Sequence, residues 1–217
     1  MARTPAVVLL VLSLTGCFVA TDECLHSDLD CLDAGVPVDR SPPASNGGAG
    51  TYDFVKDFSA SRNPSGPWGY GSRDTLGVFA RLTATTTTTC GTMPIWTGAG
   101  EANIWRNTTG GTCFGGAPGQ VSLHPGASGQ FAVVRFTAPA PGEWDFEAQF
   151  FSGDLGETDV TITKNGTSLD RLATSSGSPT FGRTIALLTG DTVDFELGAR
   201  GDWSYDNTPT SIRVTRR

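Results

Sequence analysis

The chain has 217 residues, with 22 acidic against 15 basic side chains and a formal charge of −7. A negative protein is repelled by phosphate backbones, which excludes nucleic acid as a natural partner. With 28 Gly and 13 Pro among many Thr and Ser, the composition fits short strands and frequent turns rather than helices.

In chain order, residues 1–16 read as a signal peptide. Arg3 gives the positive start, and Ala6 to Leu14 form an apolar stretch too short to span a bilayer as a mature helix. The segment ends in Leu14-Thr15-Gly16-Cys17. Small residues ahead of a cysteine resemble the lipobox of bacterial lipoproteins. The resemblance implies cleavage before Cys17, diacylglycerol on its sulfur and a further acyl chain, such as palmitate, on the new amine. Several acyl chains anchor stably where one binds only marginally. Phe18 follows the cysteine where an Asp would imply the inner membrane, so the resemblance implies an exported protein held by lipid on the outer membrane. Residues 17–50 read as a tether. They carry Asp22, Glu23, Asp28, Asp30, Asp33 and Asp39 against Arg40, followed by a Pro/Ser/Gly run, and such a stretch buries too little apolar surface to order itself.

Residues 51–217, about 165 in number, match the roughly 100–200 residues of one domain. Tyr52, Phe54 and Phe58 suggest an opening strand. Asn63 to Gly71 reads as a loop with Trp68 and Tyr70 embedded in turn formers. Val78 to Ala84 reads as a strand with Val78, Ala80 and Leu82 on one face, continued by the Thr-rich run that follows. Short strands are centred on Ile95-Trp96 and Ile104-Trp105. Phe131 to Thr137 and Glu143 to Phe150 read as a hairpin turned at Ala138 to Gly142. In the second arm Trp144, Phe146, Ala148 and Phe150 alternate with Glu143, Asp145, Glu147 and Gln149, so one face is dry and the other wet. Asn165-Gly166 signals a type I′ hairpin between Asp159–Lys164 and Ser168–Ala173. Thr180–Leu188 and Thr192–Leu197 flank a turn at Thr189-Gly190-Asp191, and Thr210–Thr215 closes the chain with Ile212 and Val214 inward. About ten short strands predict an all-β antiparallel sandwich or barrel.

Five cysteines become four if Cys17 is lipidated. An exported chain with an even remainder reads as two disulfides. Of three possible pairings, Cys24–Cys31 with Cys90–Cys113 is the most local and keeps tether and domain separate. Closing the second loop would stabilise by about 3 kcal/mol in the chain-entropy model. A zinc site is the rival, but there is no Cys-x-x-Cys, and only His26 and His124 could assist.

The ordered set Asn63-Pro64-Ser65-Gly66-Pro67-Trp68-Gly69-Tyr70-Gly71, Leu123-His124-Pro125-Gly126, Val133 to Pro139, Asn165-Gly166, Gly190 to Phe195 and Asp206-Asn207-Thr208 resembles a β-sandwich domain of secreted and surface bacterial proteins. That domain is similar in architecture to galactose-binding-like jelly rolls and their carbohydrate-binding modules. The resemblance implies a jelly-roll topology with paired first and last strands, and a glycan as ligand. It also implies a structural calcium, for which Asp53, Asp206 and Asn207 could supply hard oxygen ligands. The competing reading makes Asp206-Asn207 a simple turn ahead of Pro209.

A sugar site needs an aromatic platform with polar neighbours. The candidates are Trp68, Tyr70, Trp96, Trp105, Trp203 and Tyr205, all placed in Gly-rich or polar loops, whereas the alternation assigns Trp144 to the core. His124 before Pro-Gly reads as a structural hydrogen-bonder. The chain carries no nucleophile elbow, zinc-protease motif or phosphate loop. A glycosidase would need two carboxylates about 5–10 Å apart, and the acidic residues at 145, 147, 154, 157 and 159 are accounted for by a wet strand face and a polar loop. The expectation is a non-enzymatic, lipid-anchored envelope protein that recognises carbohydrate through loop aromatics. The alternative is a structural or adhesive lipoprotein with a protein partner.

Overall fold

The computed structural model describes residues 50–87, 90–174 and 177–217. The expected leader, the expected lipidation site Cys17, the expected tether up to residue 49 and the expected Cys24–Cys31 bridge lie outside the described residues.

Fourteen strands are found among the described residues, more than the ten or so expected: β1 (Thr51–Asp53), β2 (Trp68–Arg73), β3 (Phe79–Arg81), β4 (Thr83–Thr87), β5 (Met93–Thr97), β6 (Asn103–Arg106), β7 (Val121–His124), β8 (Phe131–Thr137), β9 (Gly142–Phe150), β10 (Thr158–Lys164), β11 (Thr167–Ala173), β12 (Thr180–Leu187), β13 (Thr192–Ala199) and β14 (Thr208–Arg216). They form two antiparallel sheets. The first runs β12-β9-β14-β7-β6-β5-β4, with β1 also paired to β14; the second runs β11-β10-β13-β8-β2-β3. The protein is an all-β sandwich. First and last strands pair, Tyr52 opposite Val214, and Arg216 donates its backbone N–H to Gly50. Among the described residues, helix is confined to one four-residue turn, α1 (Phe54–Asp57), and a 3-10 turn at Ala99–Glu101.

Alternation decides which faces meet. Trp144, Phe146, Ala148 and Phe150 of β9 all enter the core, as do Val193, Phe195 and Leu197 of β13 and Ile212 and Val214 of β14. The Asn165-Gly166 hairpin forms between β10 and β11, with both turn residues at positive φ.

The proposed hairpin between Phe131–Thr137 and Glu143–Phe150 is not formed. Both strands exist, but β8 pairs with β2 and β13 while β9 pairs with β12 and β14. The 138–142 connection is an arch from one sheet to the other. It sets Phe136 against Trp144 and Phe146 across the core, at ring-centroid distances of 5.5 and 5.6 Å. Two prolines in five residues remove ladder donors, and two dry faces are buried best against each other across the sandwich. The 188–191 turn is likewise an arch, since β12 and β13 belong to different sheets. At Leu82 the chain again changes sheet, from β3 to β4. Only Leu82 of the expected inward trio is buried, and Val78 is exposed.

Trp68, Tyr70 and Trp96 are corrected from loop platform to core. Segment 68–73 is an inner strand, and the three rings are essentially inaccessible. Their polar ends are tied to α1 and the segment after it: the Trp68 indole donates to Asp57 Oδ2 (3.2 Å), the Trp96 indole donates to the Ser59 carbonyl (2.8 Å), and the Tyr70 hydroxyl accepts the Ser59 N–H (3.0 Å). Burial pushes the Tyr70 phenol up to about 12. The glycines that suggested a loop serve the strand's outer face. A Cβ on Gly71 would sit inside the Phe79 ring, and Arg135 stacks on that same ring at 3.7 Å.

Candidate functional site

Pleating also creates a second face. Where Trp96, Ile104, Val121 and Leu123 point into the core, their neighbours point outward from the first sheet. Register aligns these outward residues in rows. Ile95 lies opposite Trp105, which lies opposite Ser122, and Thr97 lies opposite Asn103, which lies opposite His124. Met93, Trp105 and Cys113, packed with Cys90 and Ile95, form a small apolar cluster on this outer face, separate from the core.

Three loops close over it. Segment 107–120 is held by the Cys90–Cys113 disulfide, one of the expected bridges, and by Asn107, whose side-chain amide donates to the Gly111 and Gly116 carbonyls at 2.8 Å. Segment 151–157 lies along 205–209 through the backbone bonds Phe151 to Pro209, Asp154 to Asn207 and Gly156 to Tyr205. Glycines permit this approach: a Cβ on Gly153 would lie 2.2 Å from the Asn207 carbonyl oxygen, and one on Gly156 would lie 2.0 Å from Asp206 Oδ1.

The result is an open cleft of about 480 Å³. Its apolar floor and walls are Met93, Ile95, Trp105, Phe114, Trp203 and Tyr205; polar groups come from Glu101, Asn103, His124, Asp154, Ser204 and Asn207. Phe114 stands edge-on to Trp105 at 6.2 Å and Trp203 edge-on to His124 at 5.5 Å. Trp105 is buried and donates to Asn207 Oδ1 at 3.2 Å. Tyr205 and Phe114 are exposed at 64% and 41%, the accessible surfaces a ligand could cover. Four non-glycine residues among those described have positive φ. One is Asn165 of the hairpin turn; the other three, Glu101, Phe114 and Tyr205, all line this cleft. Left-handed backbone at such residues costs on the order of 1 kcal/mol each and concentrates at functional sites.

His124 is 8% exposed, and its Nδ1 lies 2.7 Å from the Pro125 carbonyl. A carbonyl only accepts, so Nδ1 is the donor. Burial holds the imidazole below its usual pKa, against the opposing pull of that carbonyl, Asp154 and Glu101. The neutral ring therefore offers Nε2 as an acceptor. Beneath the rim, Asp206 is 1% exposed with neither carboxylate oxygen hydrogen-bonded. Burial first, and the nearby Asp202 charge second, push it up to about 7.

The structure thus draws Trp105, Trp203 and Tyr205 together and leaves Trp68, Tyr70 and Trp96 in the core. The set Asp53, Asp206 and Asn207 is separated. Asp53 faces Arg213 on β14, whereas residues 206–207 precede its first residue, Thr208, and the strand from Arg213 to Thr208 alone spans about 17 Å. Asp53 instead caps α1 and pairs with Lys56. Among the described residues no three His, Cys, Asp or Glu side chains cluster as a metal site. Sequence reasoning did not find Glu101, Asn103, Phe114 or Asp154. The usable signal was the alternation around Ile104, which assigns Asn103 and Trp105 to one outward face.

No protein-family model matches the chain, and no curated protein matches it. Solved structures resemble it distantly. A family 35 carbohydrate binding module from Clostridium thermocellum is 17% identical over 57% of this chain and 97% of that one, at a TM-score of 0.34. Rabbit GITRL is 14% identical over 39% and 70%, at 0.29. The C-terminal CBM6 of LamC from Zobellia galactanivorans is 16% identical over 44% and 80%, at 0.26. These values identify no family.

Proposed function

We propose that this protein binds carbohydrate in the outer-face cleft. The observation that carries the reading is the lining itself: partly exposed rings of Phe114, Trp203 and Tyr205 beside hydrogen-bonding groups from several loops, held by backbone that is strained at three of its residues. Sugar rings present apolar C–H faces edged with hydroxyls. An aromatic wall with convergent polar groups complements both. The leader and Leu14-Thr15-Gly16-Cys17 support an exported, lipid-anchored setting in which such a site would meet envelope or environmental polymers. Incorporation of labelled palmitate, abolished by Cys17→Ala, tests the anchor.

For the site, retention of the full chain carrying Cys17→Ser is measured on a panel of immobilised polysaccharides. At least one polymer class should retain it, and Trp203→Ala with Tyr205→Ala should weaken retention tenfold or more, since truncating an aromatic anchor of a binding site costs about 2 kcal/mol and tenfold is about 1.4 kcal/mol. Retention unchanged in the double variant would remove the cleft from the account.

A hydrolase is the second reading, because Glu101 and Asp154 line one cleft and glycoside hydrolysis uses two carboxylates. Against it, Glu101 is exposed, while a general acid is ordinarily set in an apolar, desolvated position. Release of reducing ends from a retained polymer, lost in Glu101→Gln, would favour the hydrolase.

A further inference from the structure

The cleft's polar lining is unbalanced. Its ionisable side chains are Glu101, Asp154, His124 and Tyr205, with no Lys or Arg among the lining residues. Because His124 Nδ1 donates to Pro125, Nε2 presents a lone pair, and none of the described residues donates to it. This side chain is more than nine-tenths buried, yet it lines the cleft. Donors are scarcer. Asn103 gives one N–H of its amide to the Glu101 carbonyl at 2.8 Å, and the Trp105 indole is taken by Asn207. Ser204 gives its hydroxyl to Asp202 at 3.0 Å, so the second Asn103 N–H, the Tyr205 hydroxyl and the Asn207 amide remain. Both carboxylates lie near enough to act on the His124 ring, so a bound ligand would meet their fields together.

Resting on the carbohydrate reading above, we propose that the cleft selects sugars bearing a protonated amine, accepts neutral ones more weakly, and rejects uronate- or sulfate-bearing ones. An ammonium supplies three donors and a positive charge to a site rich in acceptors and negative charge. A uronate would add a third negative charge with no cationic partner, which costs more than it returns. The aromatic walls hold the ring, and Glu101, Asp154 and His124 choose the substituent.

The test is calorimetric titration of the full chain carrying Cys17→Ser with matched hexamers in the gluco and galacto series. Each amino-sugar hexamer is compared with its N-acetylated twin and with a galacturonate hexamer, in low and high salt. The free amine should bind about tenfold tighter than its acetylated twin in at least one series, a gap that narrows as salt screens the partly exposed carboxylates. Galacturonate should give no heat. In Glu101→Gln/Asp154→Asn the amine-to-acetyl ratio should fall to near one. Galacturonate binding as tightly as the amine overturns the proposal, as does a ratio that survives in the double variant, because the attraction would then come from acidic surface elsewhere. If the acetylated hexamer binds as well as or better than the amine, charge selection falls while the carbohydrate reading stands. If nothing binds in either series, both fall.

Discussion

Asp206 is the clearest single residue at which structure and solvent conditions meet. Its carboxylate is buried without a hydrogen bond and is held up to about 7, while an unfolded chain would ionise it near 3.8. Between those values the native state binds more protons than the unfolded state, so stability contributed at this site falls as pH rises from about 4 to 7 and is flat beyond. The isostere Asp206→Asn removes the ionisation. Thermal melts should show wild type and variant alike at pH 4, and the variant more stable at pH 8 by a few kcal/mol at most, since a tenfold change in a proton equilibrium is worth about 1.4 kcal/mol. A variant less stable at pH 8 would mean that the ionised carboxylate has a stabilising partner. Glu101 makes the complementary case. Glycine there would relieve left-handed backbone, so Glu101→Gly should hold or raise the melting temperature while weakening ligand retention.

At the scale of the element, β13 shows how a wet face can be buried. Val193, Phe195 and Leu197 fill the core as their alternation predicts, yet Asp194 and Glu196 on the other face are also buried. They survive there because they are paired. Arg135 grips Asp194 with two bonds of 2.7 and 2.8 Å, Arg73 bridges Asp194 and Glu196, and Thr163 donates to Glu196 at 3.1 Å. Removing Asp194 leaves Arg135 without its acidic partner and Arg73 with Glu196 alone, at side chains only 25% and 15% exposed. Asp194→Ala should therefore lower stability by about 3–5 kcal/mol in urea denaturation, and a loss under about 1 kcal/mol, the range of an exposed pair, would show that water reaches the arginines freely. The alternation at residues 192–197 revealed which side chains share a face; it said nothing about whether the polar face would be covered, because Phe79 and the arginines arrive from β2, β3 and β8.

For the molecule as a whole, the apolar residues divide into a main core between the sheets and the small outer cluster under the cleft. Cys90 and Cys113 belong to the second, and the main core contains neither. The disulfide should therefore matter more for binding than for folding. Replacing both cysteines by serine should lower stability by about 3 kcal/mol and abolish polysaccharide retention, with the β-sheet signature in far-ultraviolet circular dichroism unchanged. Loss of that signature would show that the outer cluster supports the sandwich itself.

Local chemistry alone determined much of this. Pleating is a property of each strand's own backbone, so the dry faces of β9, β13 and β14 are written in residues two apart, and Asn165-Gly166 carries its turn in its own φ preferences. The same locality explains what was misread. Strand partners are chosen by burying one face against another over long sequence separations, which is why 131–137 and 143–150 oppose each other across the core instead of pairing side by side. Gly69 and Gly71 resemble loop residues until Phe79 lies on one of them. Trp105, Trp203 and Tyr205 were legible as candidates, but the assembly of the cleft belongs to tertiary structure: Glu101, Phe114, Asp154 and Trp203 come from four separate connections, and only the folding of two sheets and the closing of one disulfide bring them to a common wall.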